Sequence, residues 1–190
     1  MLESLLTEIR QCTVCEPHLP LGANPVIRAH SAAKILIIGQ APGTKVHNTS
    51  IPWNDASGER LRQWLGLDRE AFYCQENIAI MPMGLCYPGK GRSGDLPPRK
   101  ECAPLWHAKV LEQLPNRQLT LLIGQYAQHY YLSDKPSTLT ETVQQWQRWA
   151  PSVLPLPHPS PRNTLWLRNH PWFEQDIVPY LRHRVKQVLT

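Results

Sequence analysis

Apolar residues recur along this chain in two rhythms, and the alternation between them predicts the fold. Leu2, Leu5, Leu6 and Ile9 fall at helical spacing and predict a short amphipathic helix over Leu2 to Arg10. Lys34-Ile35-Leu36-Ile37-Ile38 is instead a brief continuous apolar run ended by glycine, the mark of a strand buried on both faces. Further strands are predicted within Phe72 to Met81, best at Asn77 to Ile80, then at Leu119 to Ile123 and Ser152 to Leu156. Helices are predicted from Asp55-Ala56-Ser57-Gly58 to Leu65, Pro98 to Gln113, Gln125 to Leu132 and Leu139 to Trp149. A last helix is predicted over Pro171 to Val188, kinked at Pro179. Thr44 to Asn54 reads as a polar loop, and Gly84 to Pro98 as a long one rich in Gly, Pro and basic residues. Strands that alternate with helices imply an α/β fold, a mainly parallel four-stranded sheet covered on both faces. Without repeats, low-complexity tracts or linkers, residues 1–190 are expected to form a single domain.

Composition narrows the class. Apolar residues make up 42% and charged residues 18%, values of a globular chain and not of a disordered one. Nineteen prolines stiffen the connectors. No apolar run approaches the ~20 residues of a membrane span, and no signal peptide is evident, so a soluble cytoplasmic protein without membrane partners is expected. The formal charge of +5 suits a polyanionic partner, with basic residues gathered over Lys90 to Lys100 and Arg162 to Lys186. On charge alone, a solvated basic face explains these equally well.

Chemistry concentrates in two loops. Gly39-Gln40-Ala41-Pro42-Gly43 follows the first strand, and His158-Pro159-Ser160-Pro161-Arg162-Asn163 follows the last. In an open parallel sheet, ligands bind at the carboxyl ends of strands, so the two loops are expected to wall one pocket. Taken singly, the first could be only a tight turn, and His158 only a strand cap.

Five cysteines stand at positions 12, 15, 74, 86 and 102, an odd number that argues against a disulfide framework. Cys12 and Cys15 form a C-x2-C pair, while Cys86 and Cys102 bracket the Gly/Pro-rich loop. Cys74, in the strand predicted within Phe72 to Met81, reads as an inert buried thiol. Only one pair is tight, which suits a [4Fe-4S] cluster at least as well as zinc; spacing alone leaves cluster, zinc and no metal open.

Together these residues resemble the uracil-DNA glycosylase superfamily, in particular its iron-sulfur-containing bacterial and archaeal branches. Gly39 to Gly43 resembles the first motif of that family and His158 to Pro161 the second. Cys12, Cys15, Cys86 and Cys102 recur near the spacing of its cluster ligands. Ile51-Pro52-Trp53-Asn54-Asp55-Ala56-Ser57-Gly58 is similar to the segment in which an aromatic residue precedes a helix start. The resemblance spans nearly the whole chain. It implies a three-layer α/β/α sandwich, a [4Fe-4S] cluster on the four cysteines with zinc as the alternative, and hydrolysis of the N-glycosidic bond of a deaminated base in DNA. Such an enzyme extrudes the base into a pocket and needs preorganised donors facing the departing base.

The resemblance assigns candidate roles. His158 would donate to the base oxygen on which negative charge develops. Gln40 and Ala41 stand where other branches carry Glu or Asp, so neither supplies a catalytic carboxylate, although the Gln40 amide could orient water. Asp55 is similar to an aspartate that another branch carries at this helix start; it could position water, or simply cap the helix. His47 and Asn54 are lesser candidates in the same loop. Ala41, Pro42 and Trp53 are expected to hold the base, Trp53 by stacking. Ser160, Arg162, Asn163, Lys90 and Arg92, with Arg99 and Lys100, are expected to meet DNA. Uracil-specific branches have an Asn near the end of the second strand, where this chain reads Met81-Pro82-Met83-Gly84. Reading of hypoxanthine or other deaminated bases is therefore an expectation too. No lysine stands in either motif to form a Schiff base, which implies simple hydrolysis. A monomer is expected. The alternatives are a non-catalytic or covalently trapping DNA-binding relative, and a small-molecule hydrolase or nucleotide-binding protein on the same sheet.

Overall fold

The computed structural model describes all 190 residues. Four parallel strands form the central sheet: β1 (Ile35–Ile38), β2 (Ile78–Ile80), β5 (Leu119–Ile123) and β6 (Val153–Leu156), in spatial order β2-β1-β5-β6. Register pairs Ile35 with Ile78 on one side and with Leu119 on the other. Pro155, which has no N–H to give, lies on edge strand β6, where one side of the ladder is unused.

Alternate residues of each strand face opposite layers, and every strand is apolar on both. Ile35, Ile37, Ile78, Leu121 and Leu154 pack against α3 (Ala56–Leu65), α4 (Arg69–Phe72), α7 (Leu139–Gln144), α8 (Thr164–Asn169) and α9 (Val178–Leu189). Leu36, Ile38, Ala79 and Leu122 pack against α1 (Leu2–Arg10), α5 (Cys102–Glu112) and α6 (Gln125–Tyr131). Two cores separated by one sheet make the three-layer α/β/α sandwich.

Departures from the sequence reading fall where tertiary contacts override local pattern. Thr44–Thr49, expected as loop, is a short helix, α2; only Val46 of it is buried, so it shows no apolar stripe. Its carboxyl end is held by Asn24, whose Nδ2 donates to the His47 carbonyl at 2.8 Å. The expected second strand begins only at Ile78; Arg69–Phe72 before it is helical, capped by Asp68, and Cys74 lies half-buried in the intervening turn. Within the long loop, β3 (Lys90–Gly91) and β4 (Gly94–Asp95) form a small antiparallel hairpin turning at Arg92-Ser93. The fifth helix starts at Cys102 and not at Pro98, and the seventh ends at Gln144 before a 3-10 turn. The last predicted helix begins as a π turn over Phe173–Ile177 and then becomes α9. Pro179 falls in the first turn of α9, directly after the π turn. α8, between the His158 loop and that turn, was absent from the pattern.

Candidate active site and cysteine pocket

The chain steps from β1 outward to β2, then crosses back to β5 on the other side of β1. Crevices form at the carboxyl ends where strand order reverses in this way. A cleft of about 510 Å³ opens there, bordered by Gly39 to Gly43, Pro52, Trp53, Asp55, His158 and Ser160. The two motif loops thus do wall one pocket, as the sequence suggested. Gln125 at the start of α6, Ile80 and Pro82 after β2, and Lys90, Ser93, Gly94 and Asp95 from the hairpin complete the lining.

The floor is rigid. Gly39 and Gln40 accept hydrogen bonds through their carbonyls from Met83 N–H at 2.9 Å and Gly84 N–H at 3.0 Å, extending the β1–β2 pairing past the strands. Trp53 adopts φ +59°, a left-handed conformation that costs a non-glycine residue free energy. Several contacts hold it there. Buried Arg62 donates to the Trp53 carbonyl at 3.1 Å, and that carbonyl lies so close to Gly58 that a Cβ at position 58 would stand 1.7 Å from its oxygen. The Trp53 ring covers Gly39, whose added Cβ would approach Cζ2 to 2.8 Å. Its face lies 5.6 Å from the His158 ring, centre to centre.

His158 has a defined tautomer. Its Nδ1 accepts from the Ser160 backbone N–H at 3.1 Å, so in the neutral ring the proton sits on Nε2. Nε2 makes no hydrogen bond within the chain. Burial pushes the His158 pKa down to about 4, against the opposing pull of the Asp55 carboxylate, so the ring is neutral at pH 7. The loop around it is fastened by Asn163 Nδ2, which donates to the His158 carbonyl at 2.8 Å, and by Arg60, which donates to the Ser160 carbonyl at 3.3 Å. Ser160 Oγ accepts from Arg162 N–H at 3.2 Å. Ser160 and Asn163 are therefore engaged in shaping the loop.

Asp55 performs its capping role, with Oδ1 accepting from Gly58 N–H at 2.9 Å. Oδ2 makes no hydrogen bond within the chain, and the residue borders the cleft, so the two readings of Asp55 are compatible. Ala41 and Pro42 lie on the lining; His47 and Asn54 do not. Lys90 is exposed and borders the cleft, while Arg92, exposed at the hairpin turn, is not on its lining. Arg162 is also exposed, but its guanidinium donates to the Ser93 carbonyl and ties the His158 loop to the hairpin tip. Arg99 faces elsewhere, paired with Glu101 at 2.9 Å next to Cys15. Arg62, Gln125 and Asp95 were not singled out from sequence. Gly91 and Gly94 flanking Arg92-Ser93 signal a hairpin, but nothing local places it over the cleft.

A second, small apolar pocket is lined by Cys12, Cys15, Cys86 and Cys102 together with Val14, Leu19, Leu85, Leu105 and Trp106. Chain segments ninety residues apart thus bring the four predicted thiols together, and Cys74 stays apart. No three His, Cys, Asp or Glu side chains converge tightly enough to grip a single ion. Burial pushes the Cys86 thiol up to about 11 and the Cys102 thiol to about 12, with the neighbouring thiols adding to both. Leu85 N–H points at Cys102 Sγ, 3.3 Å away. Gly84, bonded to Gln40, joins this pocket directly to the floor of the cleft.

Comparison with known proteins places the chain in a family. The model of the uracil DNA glycosylase superfamily matches residues 28–182, which span both motif loops, the hairpin and all four strands. A type-4 uracil-DNA glycosylase of Thermotoga maritima is 22% identical over 162 residues, covering 84% of this chain and 82% of that protein. The chain belongs to the uracil-DNA glycosylase superfamily.

Proposed function

We propose that this DNA glycosylase hydrolyses the N-glycosidic bond of uracil in DNA, accepts other deaminated bases, and so opens base-excision repair. The observation that carries the reading is His158: a neutral imidazole with Nδ1 committed to Ser160 and its Nε2–H free in a cleft sized for one nucleotide. The extruded base lies against Trp53, and stacking of this kind is worth roughly 1–3 kcal/mol per base. As the bond lengthens, negative charge grows on the base, and a donor already aimed at it stabilises that charge without reorganisation. Backbone N–H groups of Gln40 and Ala41 supply further dipoles beside it. Asp55 Oδ2 positions the attacking water, and Gln40 helps to orient it. No side-chain amide from the segment after β2 reaches the cleft; Pro82 stands there instead. Selection against purine lesions is correspondingly weaker.

Lys90, Arg92 and Arg162 surround the mouth and meet the phosphate backbone, with Ser160 and Asn163 holding the loop that presents Arg162. The four-cysteine pocket supports a [4Fe-4S] cluster. Cys12, Cys15, Cys86 and Cys102 share one apolar site and would be the residues that hold it. A cationic centre would offset the burial that raises the Cys86 and Cys102 thiols. Held by Cys12, Cys15, Cys86 and Cys102, the cluster fastens the amino-terminal segment and α5 to the loop behind Gln40.

The test is a lesion panel. Single- and double-stranded oligonucleotides bearing uracil, hypoxanthine or xanthine are incubated with the protein and then cleaved with alkali. Strand breaks at uracil, with weaker breaks at the purine lesions, are expected. No breaks at any lesion would overturn the proposal, and an alkali-stable protein–DNA adduct would identify a trapping protein instead.

A further inference from the structure

The first motif carries no carboxylate, yet a carboxylate stands over it. Asp95, from β4 of the hairpin, borders the cleft, and its Oδ2 lies 3.6 Å from where a Cβ on Gly43 would be. In the hairpin register Asp95 faces Lys90, so an ordinary reading is a cross-strand ion pair. That pair is not made: the chain holds two salt bridges, Arg99–Glu101 and Arg148–Asp134, and neither involves Asp95. Arg162, the other nearby cation, donates to the Ser93 carbonyl instead. Asp95 thus keeps a carboxylate bonded to nothing within the chain, in a cleft whose other charged lining groups are Lys90, Arg162 and the helix-capping Asp55.

Its level in the cleft follows from its neighbours. On one side is Gly43, the end of the loop that forms the floor with Trp53 and His158. On the other are Lys90 and Arg162, exposed where a phosphate backbone would pass. A nucleotide with its base on the floor and its phosphates at the rim places its deoxyribose between, beside Asp95. A negative charge at that point opposes phosphate binding, so DNA affinity gives no account of it.

We propose that Asp95 is a catalytic residue, and that its carboxylate stabilises the positive charge which develops on the deoxyribose as the base departs. This inference rests on the proposed glycosylase reading and adds a residue to it. The hairpin provides from outside the motif the acid that Gln40 and Ala41 do not. No bond is made to Asp95 and no proton leaves it; water still attacks the sugar, and the base leaves with the electron pair of the glycosidic bond.

The test compares wild type with Asp95→Asn, an isosteric change at an exposed position. Single-turnover excision of uracil should fall ~100-fold or more, the scale of losing one preorganised electrostatic partner, while affinity for a neutral tetrahydrofuran abasic duplex stays the same or tightens. The second measurement needs no turnover. Wild type should bind a duplex containing a cationic pyrrolidine abasic analogue at least ~10-fold tighter than the tetrahydrofuran duplex, and Asp95→Asn should lose that preference. No preference in the wild type, or one that survives in Asp95→Asn, overturns the inference. A wild type that excises nothing yet shows the Asp95-dependent preference supports the inference and overturns hydrolysis as the activity.

Discussion

Protonation of His158 breaks the arrangement on which the site depends, and the size of the effect can be worked out. Imidazolium carries hydrogens on both nitrogens, so Nδ1 can no longer accept from Ser160 N–H, and the charge has to be held between Trp53 and the loop. The pKa falls from 6.5 to about 4, which corresponds to about 3 kcal/mol in favour of the neutral ring. The sign follows from linkage: the unfolded chain takes up this proton near 6.5 and the folded chain only near 4, so stability is greatest above 6.5 and declines as pH falls between the two values. Between pH 7 and 5 the loss is about 2 kcal/mol for His158. Buried His107 behaves alike, its Nε2–H donating to the Pro82 carbonyl at 2.9 Å and its pKa also pushed down to about 4. Urea denaturation at the two pH values should therefore show a decrease of about 4 kcal/mol from the pair, and His158→Asn should remove about half of it. Imidazole nitrogen shifts read the tautomer directly, and the acid limb of single-turnover excision should fall near pH 4. A His158 that titrates close to 6.5, or that carries its neutral proton on Nδ1, would refute the reasoning.

Gly39→Ala drives a methyl group into the held Trp53 ring and should cost ~5- to 150-fold in kcat/KM, the range of one lost stack, together with about 1–3 kcal/mol of stability from overpacking. Equal kinetics would show that the ring does not hold the base. Lys90→Ala and Arg92→Ala should each lower the slope of log affinity against log salt by about 1 without altering lesion preference. An unchanged slope in both would remove the hairpin from the DNA interface. Cys86→Ser should abolish the broad absorption near ~400 nm expected of a [4Fe-4S] protein and loosen the amino-terminal segment in hydrogen exchange. Full retention of iron by that variant would contradict the four-cysteine assignment.

Much of the fold was written in short-range pattern. Ile35 to Ile38, four apolar residues ended by glycine, reads as a strand buried on two faces, and its alternation fills both cores. Asp55 followed by Gly58 is a helix start readable from four residues, and the structure has that cap. His158 and Gln40 stood out because each lies in a Gly/Pro loop just after a strand and within a motif resembling the family's. The missed features depend on distant contacts. α2 has one buried residue and is held by Asn24; Trp53 takes a strained backbone because Arg62 and Gly58 fix its carbonyl. Arg62 reads in sequence as one more polar position on a helix, and only the packing reveals it buried. Asp95 reads as a loop acid, and only the tertiary fold, in which Arg162 ties the hairpin tip to the His158 loop, shows it over the cleft.

The most direct test is single-turnover release of free uracil from a uracil-containing oligonucleotide, run side by side for wild type and His158→Ala. The account predicts stoichiometric uracil release by the wild type, and a rate ~100- to 1,000-fold lower in the variant with abasic-duplex affinity preserved. Release at the same rate in both proteins, or in neither, would contradict it.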